Sequence, residues 1–332
     1  MTNEEREKIL GKTDVKELFY RLDDYKYSNA SKERVLSGIE GLDKLISGFE
    51  LGCITIWTGK TNMGKTSIMT MLAKKSIEQG ERIFFFNGEQ TKEDFKNNLY
   101  IQASTEKDLV NKQFRNSCVF DTFITQEKAY ELEKLYGNKI FIYNNECNRD
   151  IDTLLYAMEE VRRREKIRVF FLDNFMQIDI KSDNIYQEQS NIMEKLRTFA
   201  VNKRVHIHLV AHPRKTEKSQ TRLDLFDIAG SSNLTNKAYN IISIMRLDNV
   251  KKNEKEYEKL ERELIDEGYD LPNVSTVLEV LKTKGKECGI VALKYNPQFK
   301  TFSETNKLSK ELIEKNKHKN NKKNEMEMDL PW

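Results

Sequence analysis

Gly59-Lys60-Thr61-Asn62-Met63-Gly64-Lys65-Thr66 satisfies every fixed position of the pattern G-x-x-x-x-G-K-[ST]. Its flanks give the pattern meaning. Ile54, Ile56 and Trp57 form a short β-prone run before it, and Ser67-Ile68-Met69-Thr70-Met71-Leu72-Ala73 opens a helical pattern after it. Strand, glycine-rich loop and helix in that order make a phosphate cradle. The glycines let backbone N–H groups turn onto phosphate oxygens, and the helix N-terminus adds its partial positive charge. Lys65 is placed to reach the β- and γ-phosphates, and the Thr66 hydroxyl to ligate Mg²⁺. The expected ligand is ATP or another nucleoside triphosphate with Mg²⁺, held along the loop and into Ser67.

Working outward, the same alternation of elements recurs. Apolar runs at 82–86, 139–143, 168–173, 205–210 and 239–245 read as strands, with helical periods at 92–104, 125–136, 151–164 and 188–202 between them. This order predicts an α/β fold with a mostly parallel sheet covered by helices on both faces. Two further strands, 275–281 and 289–295, are expected to pair across Lys284-Gly285, and the charged stretch 251–268 to form an exposed helix. Val15, Leu18, Phe19 and Leu22 give an amphipathic helix over 14–22. That face fits either its own domain's core or a neighbouring subunit. The Lys/Asn-rich stretch after 304 has the composition of a disordered tail.

Composition narrows the function class. The 332 residues are 38% hydrophobic and 33% charged, with a mean hydropathy of -0.70, and no run approaches a membrane span. The acidic, polar start Met1-Thr2-Asn3-Glu4-Glu5 is wrong for a secretory signal, so a cytoplasmic setting without membrane attachment is expected. Fifty-six basic against 53 acidic residues leave a net charge of +3; any nucleic-acid contact must come from local clustering. Cys53, Cys118, Cys147 and Cys288 lie far apart, and no zinc site is expected.

An NTPase needs an acid at the end of a neighbouring strand to meet Mg²⁺. Asp173, closing Val169-Phe170-Phe171-Leu172, fits that role, with Asp179 as the second candidate. Hydrolysis also needs a group to orient the attacking water, and Glu89 stands just past the strand that follows the loop's helix. His212 leads from the next strand into a basic loop. Arg214, Lys215, Lys218 and Arg222 there are candidates for phosphates of a nucleic acid, followed by the small, flexible Gly230, Ser231 and Asn233.

Taken together, residues 37–302 resemble the ATPase domain of DnaB-type replicative helicases, a RecA-like fold, and are most similar to its Twinkle and phage primase-helicase branch. The resemblance rests on Ser37-Gly38-Ile39, Leu42-Asp43-Lys44-Leu45, Asn87-Gly88-Glu89-Gln90, Asp173, Leu209-Val210-Ala211-His212-Pro213-Arg214-Lys215 and Asp227 to Leu234. It implies a catalytic role for Glu89, a γ-phosphate-sensing role for His212, and a DNA-facing loop around Gly230, Ser231 and Asn233. It also implies that Arg246 is an arginine finger reaching a neighbouring subunit's ATP, with Lys282 near the same phosphate. The implied activity is a ring-forming ATP-dependent helicase, a hexamer in the family's manner, moving 5′ to 3′ on single-stranded and forked DNA. The domains expected are an arm over 1–36, the ATPase over 37–304 and the tail over 305–332. No primase module is expected, so primase would be a separate partner. The acidic, aromatic end Glu325-Met326-Glu327-Met328-Asp329-Leu330-Pro331-Trp332 resembles tails that hold replisome partners such as a polymerase or a single-strand-binding protein. A DNA-coating recombinase or loader and an ATPase scaffold are the alternatives.

Overall fold

The computed structural model describes residue 22 and residues 31–113, 120–214, 222–228, 232–247 and 255–308. The chain divides into two units, residues 1–33 and 34–332, and every element named below belongs to the second. The helix expected over 14–22 lies outside the described residues apart from Leu22, as do Lys215, Lys218, Gly230, Ser231 and the tail beyond 308.

In chain order, β1 (Arg34–Val35) and β2 (Phe49–Glu50) pair around helix α1 (Glu40–Ile46). Strand β3 (Ile54–Thr58) runs through the phosphate loop into α2 (Lys65–Glu78). Next come β4 (Ile83–Asn87), α3 (Lys92–Gln102), the hairpin β5 (Leu109–Gln113) and β6 (Phe120–Ile124), α4 (Gln126–Tyr136) and β7 (Ile140–Ile142). They are followed by α5 (Ile151–Glu165), β8 (Val169–Asp173), α6 (Ile185–Lys203), β9 (His206–Val210), α7 (Ser232–Lys237) and β10 (Asn240–Arg246). The described chain closes with α8 (Lys255–Asp266), β11 (Thr276–Thr283), β12 (Gly289–Asn296) and β13 (Thr301–Glu304).

Nine of these strands form one sheet in the order β13-β12-β11-β10-β3-β9-β8-β4-β7. From β10 to β7 all neighbours are parallel, and β11, β12 and β13 add antiparallel strands at one side. The central strands carry side chains into both layers, which explains their unbroken apolar runs. Successive residues point to opposite faces. Phe85 and Phe171 therefore meet α2 through Ile68, Met69 and Leu72, while Phe84, Phe170 and Leu172 meet α6 through Ile192, Met193 and Leu196. The Phe85 and Phe171 rings stack with centroids 5.4 Å apart.

Two histidines belong to this core and to no site. His206 and His208 are fully buried on β9, and Trp57 Nε1 donates to His208 Nδ1 at 3.2 Å. Burial pushes His206 down to about 4 and holds His208 well below its usual range, so both are neutral at pH 7.

The charged stretch expected as an exposed helix is otherwise: α8 buries Tyr257, Leu260 and Leu264 in a third apolar cluster with Met245, Val277 and Ile290. Those three residues recur at i, i+3 and i+7, one face of a helix whose remaining faces hold the charge. Nothing in the local sequence announces the short β1–β2 pair, the β5–β6 hairpin or β13.

Candidate active site

Five of the groups singled out for chemistry emerge at the same edge of the sheet. β4, β8, β9, β3 and β10 are adjacent and parallel, so their C-terminal ends deliver Glu89, Asp173, His212, the phosphate loop and Arg246 side by side. A crevice outside the carboxyl ends of parallel strands is where such sheets take ligands. Here it is a cleft of about 490 Å³ lined by Thr61, Asn62, Gly64, Lys65, Thr66, Ser67, Glu89, Gln90, Asp173, His212, Arg246 and Tyr295.

The loop is held in its working shape by its own backbone. Gly64 lies at φ 90°, and a Cβ there would meet the Phe302 ring at 2.9 Å. It caps α2, whose first residue is Lys65, leaving the helix N-terminus turned to the cleft. Gly59, Lys60 and Met63 do not line the cleft but build it. Lys65 Nζ donates to the carbonyls of Gly59 (2.7 Å) and Lys60 (2.9 Å), and Met63 Sδ accepts from Arg246 N at 3.2 Å. Burial lowers the Lys65 amine, against the pull of Asp173 and Glu89.

Thr66 Oγ1 donates to Asp173 Oδ2 at 2.9 Å, joining the loop's hydroxyl to the strand-end acid. Asp173 is 2% exposed. Burial, with the Glu89 carboxylate adding to it, pushes Asp173 up to about 6, while the Thr66 hydrogen bond and the Lys65 charge pull the other way. An oxygen-only pair of this kind, a hydroxyl beside a buried carboxylate, suits a hard divalent cation. The donor set therefore fits Mg²⁺, and the backbone and lysine fit its phosphates. Asp179, the other sequence candidate, lies outside the cleft with Oδ1 3.7 Å from Arg149.

Glu89 is presented by a turn that Asn87 organises, its Oδ1 accepting from Gln90 N at 3.0 Å. Gly88 N donates to Asp173 O at 2.7 Å, and Gly88 packs so closely on Gln177 that a Cβ would overlap it. That approach brings the Glu89 turn against the end of β8. His212 Nε2 lies 3.2 Å from Glu89 Oε1, and Asn174, one residue past Asp173, bonds to both. The Asp173–Asn174 peptide is cis.

Arg246 closes β10, which lies beside β3 in the sheet, and its side chain lines the cleft, with the guanidinium 4.4 Å over the Tyr295 ring. Lys282 does not line the cleft; its Nζ donates to the carbonyls of Thr235 (2.6 Å) and Asn236 (3.2 Å) in α7. Arg222, a nucleic-acid candidate, is instead held by two carboxylates, with Nη1 2.6 Å from Glu263 and Nη2 bonded to Glu279. Arg214 is exposed, and its backbone N–H donates to Asp227 O at 2.6 Å.

Sequence reasoning missed Asn174, Gln90 and Tyr295. Asn174 had a signal, its place beside the strand-end acid. Tyr295 comes from a distant antiparallel strand, and only the sheet order brings it to the loop.

A phosphate loop, a buried acid and a carboxylate–histidine pair at the strand ends of a mostly parallel sheet define a RecA-like P-loop domain. Within that class, the chain belongs to the DnaB-like helicase C-terminal domain family, whose model matches residues 35–304. It is 23% identical over 287 residues to the replicative DNA helicase DnaB of Mycoplasma genitalium, covering 81% of this chain and 57% of that protein. It is 26% identical over 248 residues to the Twinkle homolog protein, chloroplastic/mitochondrial, of Arabidopsis thaliana, covering 72% of this chain and 34% of that protein. The chain thus spans about half the length of the curated relatives it matches. Among solved structures, that of a DnaB-like replicative helicase, described with its interactions with primase, superposes with a TM-score of 0.65 at 16% identity, covering 83% of this chain and 62% of that one. Among the described residues, no helix is long and apolar enough to cross a membrane.

Proposed function

We propose that this chain is the ATP-hydrolysing motor of a ring-forming replicative DNA helicase that moves 5′ to 3′ on single-stranded DNA and opens forked duplex. The carrying observation is that Glu89 and His212 stand together beside the Thr66–Asp173 pair, a cleft equipped to cleave a nucleotide as well as bind it.

The chain's own groups divide the work. Backbone N–H groups of the loop and the start of α2 receive the phosphates, and Lys65 exchanges the Gly59 and Lys60 carbonyls for phosphate oxygens. Thr66 and Asp173 hold Mg²⁺, which when bound neutralises charge on the transferred phosphoryl group. Glu89 orients the attacking water and takes its proton. His212, 30% exposed at the mouth, faces the γ-phosphate and registers its departure. Arg246 and Tyr295 together offer a flat, cationic platform for the base.

Lys282, facing away from its own cleft, is the basic group proposed to approach a neighbour's phosphates in a ring, of six subunits in the family's manner. Arg214, Lys215 and Lys218, with Gly230, Ser231 and Asn233, form the proposed DNA path. Binding would run mainly through phosphates, with little base preference and a strong dependence on salt. A separate primase, a polymerase and a single-strand-binding protein are the proposed partners, the acidic tail end being their contact. ATP turnover with and without single-stranded DNA tests the reading: a motor is stimulated by the strand, and a scaffold that only binds nucleotide is not.

A further inference from the structure

The turn after β8 carries a side chain that none of these roles uses. Asn174 is 1% exposed, although it lies against two partly exposed groups. Its Oδ1 accepts from Met176 N at 2.8 Å, which fixes the amide's orientation and aims Nδ2 at the cleft. Nδ2 donates to Glu89 Oε1 and lies 3.0 Å from His212 Nε2. Since His212 Nε2 is itself 3.2 Å from that Glu89 oxygen, three polar atoms from the ends of β4, β8 and β9 close a triangle. Lys65, Thr66 and Asp173 take no part in it.

The chemistry of the triangle couples its corners. Nδ2 has two hydrogens, enough for both neighbours, provided His212 Nε2 is an acceptor. When Nε2 carries the proton instead, it can donate to Glu89 but no longer accepts from Asn174. His212 cannot do both, so whatever it bonds to at the phosphate decides how Asn174 and Glu89 are engaged. Glu89 alone is a long, 43% exposed side chain on a loop; the buried amide supplies the fixed point it lacks.

We propose that Asn174 is a positioning residue for hydrolysis, its amide tying the Glu89 carboxylate to His212 so that the group receiving the water and the group facing the γ-phosphate respond together. This rests on the hydrolytic reading of the cleft. Asn174 does not line the cleft, and its effect passes through Glu89.

Asn174→Asp tests the effect. In its ionised form the substitution keeps the size and an oxygen for Met176 N but removes the donor and sets a like charge beside Glu89. The expected result is a kcat roughly ten- to a hundredfold lower, the scale on which small misplacements of a reacting group act. The KM for ATP and the affinity for a non-hydrolysable ATP analogue should remain close to wild type, while the unfolding midpoint should fall because the new carboxyl is buried beside Glu89. Asn174→Ala, which also loses the turn's cap, should fall at least as far in kcat. Combined with His212→Ala, Asn174→Asp should cost no more than the worse single variant, because both act through one unit. Wild-type kcat in Asn174→Asp, a parallel loss of analogue affinity, or costs that multiply with His212→Ala would each overturn the proposal. Absence of ATP turnover in the wild-type chain would overturn the hydrolytic reading and this inference together; turnover that Asn174→Asp leaves intact would overturn this inference alone.

Discussion

Asp173→Asn should make the nucleotide-free protein more stable at pH 8 while abolishing its response to Mg²⁺ and ATP. The carboxyl is 2% exposed and pushed up to about 6 from an ordinary 3.8, chiefly by burial. The folded chain therefore holds this proton up to about pH 6, whereas the unfolded chain has released it above 3.8. Between those values the folded state binds more protons, so stability falls as pH rises, and above about 6 the full cost is present. At about 1.4 kcal/mol per pH unit, the interval corresponds to roughly 3 kcal/mol. Asparagine removes the charge and keeps an oxygen for the Thr66 hydroxyl, so up to that amount should be regained; its new N–H groups, needing partners, reduce the gain. Urea denaturation of both proteins without nucleotide, at pH 8 and pH 4, measures the difference. A gain of roughly 1–3 kcal/mol at pH 8 that vanishes by pH 4 agrees with the reasoning. A variant less stable than wild type at pH 8, or a difference independent of pH, refutes it. In the same assay, Mg²⁺ with ATP should stabilise the wild type and leave the variant nearly unmoved.

Three further outcomes are expected. Glu89→Gln should bind ATP as wild type does and lose turnover by roughly a hundredfold or more, measured by phosphate release; unchanged turnover would remove Glu89 from the mechanism. Mixing Arg246→Ala with Lys65→Ala should restore no ATPase at any ratio if the two side chains, which line one chain's cleft, act in that cleft; recovery at intermediate ratios would assign Arg246 to a neighbour's site. Acid should act on the core in the opposite sense to Asp173. His206 is held down to about 4 by burial, so the unfolded chain takes up its proton first and stability is lost as pH falls from about 6.5 to 4, by roughly 3 kcal/mol. His206→Gln, compared by urea denaturation across that range, should show a shallower decline, and an identical slope would count against it.

The parallel sheet is legible in the sequence because each crossover repeats one pattern: an apolar run such as Ile83–Asn87 or Val169–Asp173, then a helical period. Strand ends carry the site for the same reason. Once Asp173 and Glu89 are placed after parallel strands, the fold must set them on one edge with the phosphate loop. What escapes is set by sheet order and side-chain direction. A basic residue at a strand end, such as Arg246, has no fixed neighbour in the sequence; the adjacency of β10 and β3 is what sets it at the cleft. Arg222 reads as a free cation because its partners, Glu263 and Glu279, lie 41 and 57 residues away. The buried face of α8 is hidden by the charge on its other sides, its Tyr257, Leu260 and Leu264 standing among many Glu and Lys.

The central claim is that the cleft drives a motor along DNA, and unwinding of a forked duplex by the purified chain with ATP and Mg²⁺ tests it most directly. Strand separation that requires a 5′ single-stranded tail and fails with Glu89→Gln is the predicted result. ATP turnover without strand separation on any fork would contradict it.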